Sequence, residues 1–142
     1  MQVTELHRGR LLDHLHLVVA DVEASKRFYA AVLGALGLSI GGTGPDFFWV
    51  DELFVSSKDS KAAAGKLTGR THFAFQAPTK ESVTDFYEAG LAAGAKDNGP
   101  PGDRPYHPGY FACFLLDPDG NNVEAVFHGP AHRSAPSVVL KL

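Results

Sequence analysis

Cysteine, tryptophan and methionine each occur once in these 142 residues, and acidic side chains slightly outnumber basic ones. Each scarcity excludes something. A single thiol, Cys113, cannot close an intrachain disulfide, so the fold must hold by packing and nothing argues for an oxidising compartment. With 13 Lys and Arg against 16 Asp and Glu, the formal net charge is -3. No cationic stripe is available to neutralise a phosphate backbone, and nucleic acid is not an expected partner. No apolar run approaches the roughly 20 residues of a membrane helix. Met1 to Arg10 is polar, without the apolar core of a leader, so the expectation is a cytoplasmic protein with no membrane partner.

What is present is a repeat. Sliding the chain against itself by 58 positions lays His14 on His72, Phe28-Tyr29 on Phe86-Tyr87, Ala31 on Ala89, Leu33 on Leu91 and Ala35 on Ala93. Each copy reads as an alternating strand that begins near a histidine, passes a helix-capping residue (Asp21, Thr79) and enters an amphipathic helix. The length is that of one domain with a sizeable core. The repeat therefore predicts two pseudo-symmetric modules within that domain.

In chain order, Leu11 to Ala20 alternates as a strand, placing His14, His16 and Val18 on one face. Val22, Phe28, Tyr29, Val32, Leu33 and Leu36 have helical spacing, with Gly34 and Gly37 near the end. Short strands are expected at Leu38 to Gly41, Phe47 to Asp51 and Leu53 to Ser56, giving β-α-β-β-β over about residues 11–57. A linker of Lys, Ser, Ala and Gly follows over about 58–69. The second module, about 70–128, opens with a strand from Arg70 to Gln76. It caps a helix at Thr79, continues through a short strand at Ala95 to Asn98, and reaches a Pro- and Gly-rich loop from Gly99 to Gly109. Tyr110 to Leu116 and Asn121 to Phe127 form a hairpin about the Asp117-Pro-Asp-Gly120 turn. The tail, 129–142, ends in Val138-Val-Leu-Lys-Leu, suited to covering a sheet edge or a partner chain.

Seven histidines are a slight excess that directs attention to metal chemistry. If the modules fold alike and face each other, His14 and His72 come together across the pseudo-dyad and Glu124, on the strand beside the second module's first, can join them. Two imidazoles and a carboxylate are a three-point site for a divalent ion, with positions left for water or substrate oxygens. The plainer alternative is two hydrogen-bonded strand histidines and a solvent-facing carboxylate. His16 is a second ligand in a His-x-His pair, a pocket residue beside the metal, or a packed histidine. Glu52 is a candidate fourth ligand or a solvated charge beside a turn. Arg104, Tyr106, His107 and Tyr110 could bind a substrate carboxylate or ring, or simply pack their loop. Trp49 is a core residue or a pocket wall. Cys113, inside an apolar strand, reads as core, because no activating base is placed beside it.

The segments Asp13-His14-Leu15-His16-Leu17-Val18-Val19-Ala20-Asp21, Phe28-Tyr29-Ala30-Ala31-Val32-Leu33-Gly34, Thr71-His72-Phe73-Ala74-Phe75 and Asp117-Pro118-Asp119-Gly120-Asn121-Asn122-Val123-Glu124 resemble the vicinal oxygen chelate superfamily. That group holds glyoxalase I, extradiol dioxygenases, fosfomycin-resistance thiol transferases, methylmalonyl-CoA epimerase and bleomycin-binding proteins. The resemblance runs from about Leu11 to His128, and its nearest pattern is that of stand-alone, glyoxalase-like members. It implies an α+β fold of two tandem βαβββ modules whose curved mixed sheets form a cup, usually in a homodimer with sites near the interface. The superfamily's metal positions fall on His14, His72 and Glu124, which implies one divalent ion: Zn, Mn, Ni, Fe or Co. Glyoxalase I takes a fourth ligand from its first module, where this chain offers only Glu52; the fosfomycin branch has a tyrosine where Phe114 stands.

Three functions are thereby expected in order. The first is a metal-dependent lyase, isomerase or transferase that chelates vicinal oxygens of a small substrate. His16, His107 and Tyr106 would serve as acid–base residues, and Arg104, Tyr110 and Trp49 as substrate contacts. The second is a metal-free binding protein of the bleomycin-resistance kind. The third is a small extradiol-type dioxygenase.

Overall fold

A computed structural model describes residues 3–10, 12–61, 63 and 66–142. Leu11, at the expected start of the first strand, and Ala62, Ala64 and Gly65, in the expected linker, lie outside the described residues. The elements are β1 (Glu5–Arg8), β2 (Leu15–Val19), α1 (Val22–Ala35), β3 (Gly42–Gly44), β4 (Phe47–Val50), β5 (Leu53–Ser57), β6 (His72–Gln76), α2 (Lys80–Ala92), β7 (Lys96–Asp103), β8 (Phe111–Leu116), β9 (Asn122–Phe127) and β10 (Val138–Lys141). The class is α+β, and the βαβββ pattern occurs twice. Each copy makes a four-stranded mixed sheet, ordered β2-β5-β4-β3 and β6-β9-β8-β7, in which the first strand runs parallel to the last.

The chain divides into two compact units. The first contains residues 1–22, 40–67 and 132–142, and the second 23–39 and 68–131. Nearly all of α1 thus belongs with the second sheet.

In the first unit Leu17, Val19, Phe48, Val50, Leu53 and Val55 are buried on one face of the sheet. The period of two sends His16, Phe54, Trp49 and Phe47 to the other face. Strand β3 corrects the expectation of a strand at Leu38 to Gly41, because the glycines that follow are themselves the strand. A Cβ on Gly42 would lie 2.3 Å from the Trp49 indole nitrogen, and one on Gly44 would lie 2.2 Å from the Phe47 ring. The two aromatics lie over glycine backbone, which is why this strand carries no side chains on that face. Two more elements were not foreseen as a pair. The polar lead forms β1, and it pairs antiparallel with β10 from Glu5↔Lys141 to Arg8↔Val138, so the tail covers the N-terminal strand.

In the second unit Phe73, Phe75, Cys113, Leu115, Val123 and Ala125 alternate onto the helix-covered face. Phe86 and Val83 of α2 and Phe28, Tyr29 and Val32 of α1 are all fully buried with them. A Cβ on Gly90 would fall 2.2 Å from Leu115 and 3.0 Å from Val32, so this glycine marks the close approach of α2 to α1 and the sheet. Helix α2 starts as expected: Thr79 caps it and exchanges hydrogen bonds with Ser82 in a capping box. Strand β7 corrects the Pro- and Gly-rich loop expected from Gly99, since it runs on to Asp103 with register shifts between Asp97 and Gly99 and between Gly99 and Gly102. It tolerates Pro100 and Pro101 because it is the edge of its sheet, where missing N–H donors and bulges break no ladder on the far side.

Candidate functional site

The Asp117-Pro-Asp-Gly-Asn turn does more than reverse the chain. The Asp117 carboxylate accepts from the backbone N–H of Asp119 (2.9 Å) and Asn121 (2.8 Å), from the Asn121 amide (2.8 Å), and from the buried Tyr29 hydroxyl of α1 (2.6 Å). Burial and the Asp117 charge hold the Tyr29 hydroxyl well above its ordinary pKa. Asn121, fixed in this way, accepts from both the backbone N–H and the hydroxyl of Thr71 at 3.0 Å. That clamp pins the start of β6 against β9 in the register His72↔Asn122 and Ala74↔Glu124.

The consequence is a pair of donors. His72 Nε2 lies 2.9 Å from Glu124 Oε1; the histidine is half exposed, and the Glu124 side chain is only 4% exposed. The Tyr110 hydroxyl donates to the other Glu124 oxygen. Burial and that carboxylate push the Tyr110 phenol up to about 12. Phe114 meets the His72 ring edge-on at 5.9 Å, and the Arg104 guanidinium lies 5.3 Å over Phe114 while donating to Pro100 O at 2.7 Å. Asn122 shares the β9 face with Glu124, and its Oδ1 is buried without a partner.

Beside this pair stands a second imidazole group. His107 Nε2 is 2.9 Å from His128 Nδ1, the two rings stack at 5.2 Å, and each packs on Tyr110 with centroids 5.4 Å away. Tyr106, 69% exposed, packs edge-on against Tyr110 at 5.0 Å. Of the loop residues singled out from sequence, Tyr106 and His107 thus converge on Tyr110 and, through it, on Glu124, while the Arg104 side chain goes to Phe114 and Pro100. Cys113 is buried, and burial pushes its thiol up to about 12, so it is no nucleophile.

The first unit carries the other histidines. His14 stands one residue before β2, is 63% exposed, and bonds through Nδ1 to Asp13 Oδ1 at 2.8 Å. That bond holds the Asp13 carboxyl below its usual range. His16 Nε2 bonds Ser56 Oγ at 2.8 Å, and its ring meets Phe54 edge-on at 5.0 Å. Desolvation, then the neighbouring His14, lowers its pKa from 6.5. Both histidines line a cleft of about 400 Å3 with Leu6, Arg8, Trp49, Asp51 and Phe54. Glu52 does not line this cleft; its backbone carbonyl accepts from Leu15 N–H at 2.7 Å.

The structure therefore brings His72 and Glu124 together in one unit and sets His14, His16 and Trp49 around a cleft in the other. Among the described residues no three His, Cys, Asp or Glu side chains converge to hold an ion. Arg8, Asn122 and His128 escaped the sequence reading, and so did the role of Phe54. The last was accessible in principle. The parallel registers pair His16 with Phe54 and Ala74 with Glu124, and the 58-residue offset maps His16 onto Ala74, so Phe54 occupies the place of Glu124.

Residues 11–125 match the Glyoxalase/Bleomycin resistance protein/Dioxygenase superfamily model, and the chain belongs to that superfamily. Among solved structures it is similar to a glyoxalase/bleomycin resistance protein from Albidiferax ferrireducens T118, at 28% identity over 82% of this chain and 98% of that one, with a TM-score of 0.66. A glyoxalase-related enzyme from Fulvimarina pelagi is similar at 21% identity over 92% and 97%, with a TM-score of 0.69. A lactoylglutathione lyase from Agrobacterium tumefaciens is similar at 21% identity over 83% and 93%, with a TM-score of 0.60. The last two likenesses carry the fold alone. No curated protein matches in sequence.

Proposed function

We propose a metal-dependent, glyoxalase-like enzyme acting on a small oxygenated substrate, with His72 and Glu124 as two of its protein donors. The observation that carries it is the His72–Glu124 pair. Two atoms that ligate one ion at about 2.1 Å stand roughly 3 Å apart, which is the separation these donors already have. A carboxylate buried with, among the described residues, a histidine and a phenol for partners suits a cation, and Asn122 Oδ1, without a partner among them, adds an acceptor on the same face. When bound, such an ion supplies Lewis-acid stabilisation of negative charge on a substrate oxygen. The chain's own part is to fix the donors. Thr71 and Asn121 set the position of His72, and Tyr110 orients Glu124 and, with its high pKa, keeps its proton while doing so. His107 and Tyr106 gather on Tyr110 as candidate proton carriers, and His16, partly desolvated, is a candidate base in the other unit.

A metal-free binding protein is the second reading, favoured by the aromatic walls of the cleft in the first unit. A second copy of the chain is the expected macromolecular partner, in keeping with the exposed Val138, Val139 and Leu140 of β10. Metal analysis of protein purified without chelator, with His72→Ala beside it, is the deciding experiment. Near-stoichiometric metal that disappears in the variant supports the enzyme, and its identity separates a lyase from an iron-dependent oxygenase. Failure to take up manganese, iron, nickel, cobalt or zinc makes the binding protein the better account.

A further inference from the structure

Arg8 is placed by β1, and its guanidinium is half used. Nη1 donates to the backbone carbonyls of Asp51 at 2.9 Å and His7 at 3.1 Å, which fixes the plane of the group. Nε is buried and has no hydrogen-bond partner, and among the described residues Nη2 has none either. Nε–H and an Nη2 N–H lie along the same edge of the guanidinium, spaced for the two oxygens of a carboxylate. The nearest acceptor, Asp13 Oδ1, stands 3.4 Å from Nε without the alignment of a bond, and is turned to His14 instead. Asp13 is 65% exposed, so it can swing into solvent and leave that edge to another acid. Around the same cleft Trp49, Phe54 and Leu6 supply apolar walls, and Asp51 supplies a negative charge.

We propose that this cleft binds a small monocarboxylate with a flat, apolar body, its carboxylate on the Nε–Nη2 edge of Arg8 in place of Asp13 and its body against Trp49 and Phe54. The planar fork selects a carboxylate, and the Asp51 carboxylate disfavours a second negative charge, so dianions are excluded. As a statement about substrate this rests on the enzyme reading; as a statement about binding it does not.

Trp49 is the only tryptophan, so its fluorescence reports on the cleft directly. The experiment titrates it with benzoate, phenylacetate and 3-phenylpropionate, each beside the alcohol of the same skeleton. At least one acid should give a saturable change at tenfold or more lower concentration than its alcohol. Arg8→Gln should bring that acid to the level of the alcohol and leave the alcohol unchanged, and Arg8→Lys, which keeps the charge without the fork, should fall between. Should Arg8→Gln not fold, the acid–alcohol pairs on the wild-type protein decide alone. No saturation by any acid, equal affinity for acid and alcohol, or a wild-type response from folded Arg8→Gln overturns the proposal. The same titration on Glu124→Gln separates the two readings. Acid binding that persists when metal uptake is gone supports the cleft whatever becomes of the ion; acid binding lost with the ion overturns it, since the carboxylate would then be sitting on the metal.

Discussion

The two sheets share a strand order and a parallel register, yet equivalent positions carry opposite chemistry. Where the second unit has Glu124, Ala74 and Phe114, the first has Phe54, His16 and Trp49. One face is built around a buried carboxylate with room left by an alanine; the other is built around stacked aromatics, with Phe47 on Phe54 at 5.7 Å. The duplicated frame thus carries a buried carboxylate paired with a histidine in one half and an aromatic-walled cleft in the other. Phe54 stands in the first sheet where Glu124 stands in the second, so the first sheet offers no carboxylate at that position.

The comparison breaks most visibly at Glu124. Glu124→Gln keeps the shape and removes the charge, and we expect metal affinity to fall by 100-fold or more while the Trp49 signal of the first unit is unchanged. Isothermal titration and fluorescence measure the two sides. A smaller loss would mean that the halves are less divided than their residues suggest. Next in size, Tyr29→Phe removes the buried hydroxyl on Asp117 and should destabilise the protein by about 1–3 kcal/mol in urea unfolding. The turn at Asp51-Glu52 in the first unit is held by Arg8 and Leu15 through its backbone carbonyls and, among the described residues, by no buried carboxylate network, so variants of its side chains should cost less. Tyr110→Phe frees one Glu124 oxygen and should weaken metal binding about tenfold, with folding retained.

The smallest effect belongs to His16. Its folded pKa lies below the ordinary 6.5, so the unfolded chain binds the proton more readily. Stability from this site is therefore full at higher pH and is lost as the pH falls through 6.5 toward the folded value. Urea midpoints between pH 7.5 and 5.5 should decline less steeply in His16→Gln than in the wild-type protein.

Much of this was legible from the chain because local rules and tertiary structure agree. The repeat located both helices, Thr79 capped α2 as read, and the Asp117-Pro-Asp-Gly turn joined β8 to β9. His72 and Glu124 were legible for the same reason, since a parallel first and last strand places them side by side. What escaped depended on partners distant in sequence. Gly42 to Gly44 looks like a turn until Trp49 and Phe47 are laid over it. Gly99 to Asp103 looks like a loop until the sheet shows that its far side needs no donors. Arg8 sits in a polar lead whose strand exists only because residues 138–141 return to pair with it. Asn122 lies within the Asp-Pro-Asp-Gly-Asn-Asn-Val-Glu motif, but an unpaired oxygen cannot be seen in a letter string.

The proline pair in β7 also governs how molecules of this protein meet. An open strand edge recruits other strands through its unpaired amides, and Pro100 and Pro101 carry no N–H while the register shifts interrupt the regular ladder around them. In the first sheet one edge is β3, only three residues long. Each sheet thus has one edge, β3 or β7, that is poorly suited to adding a further strand.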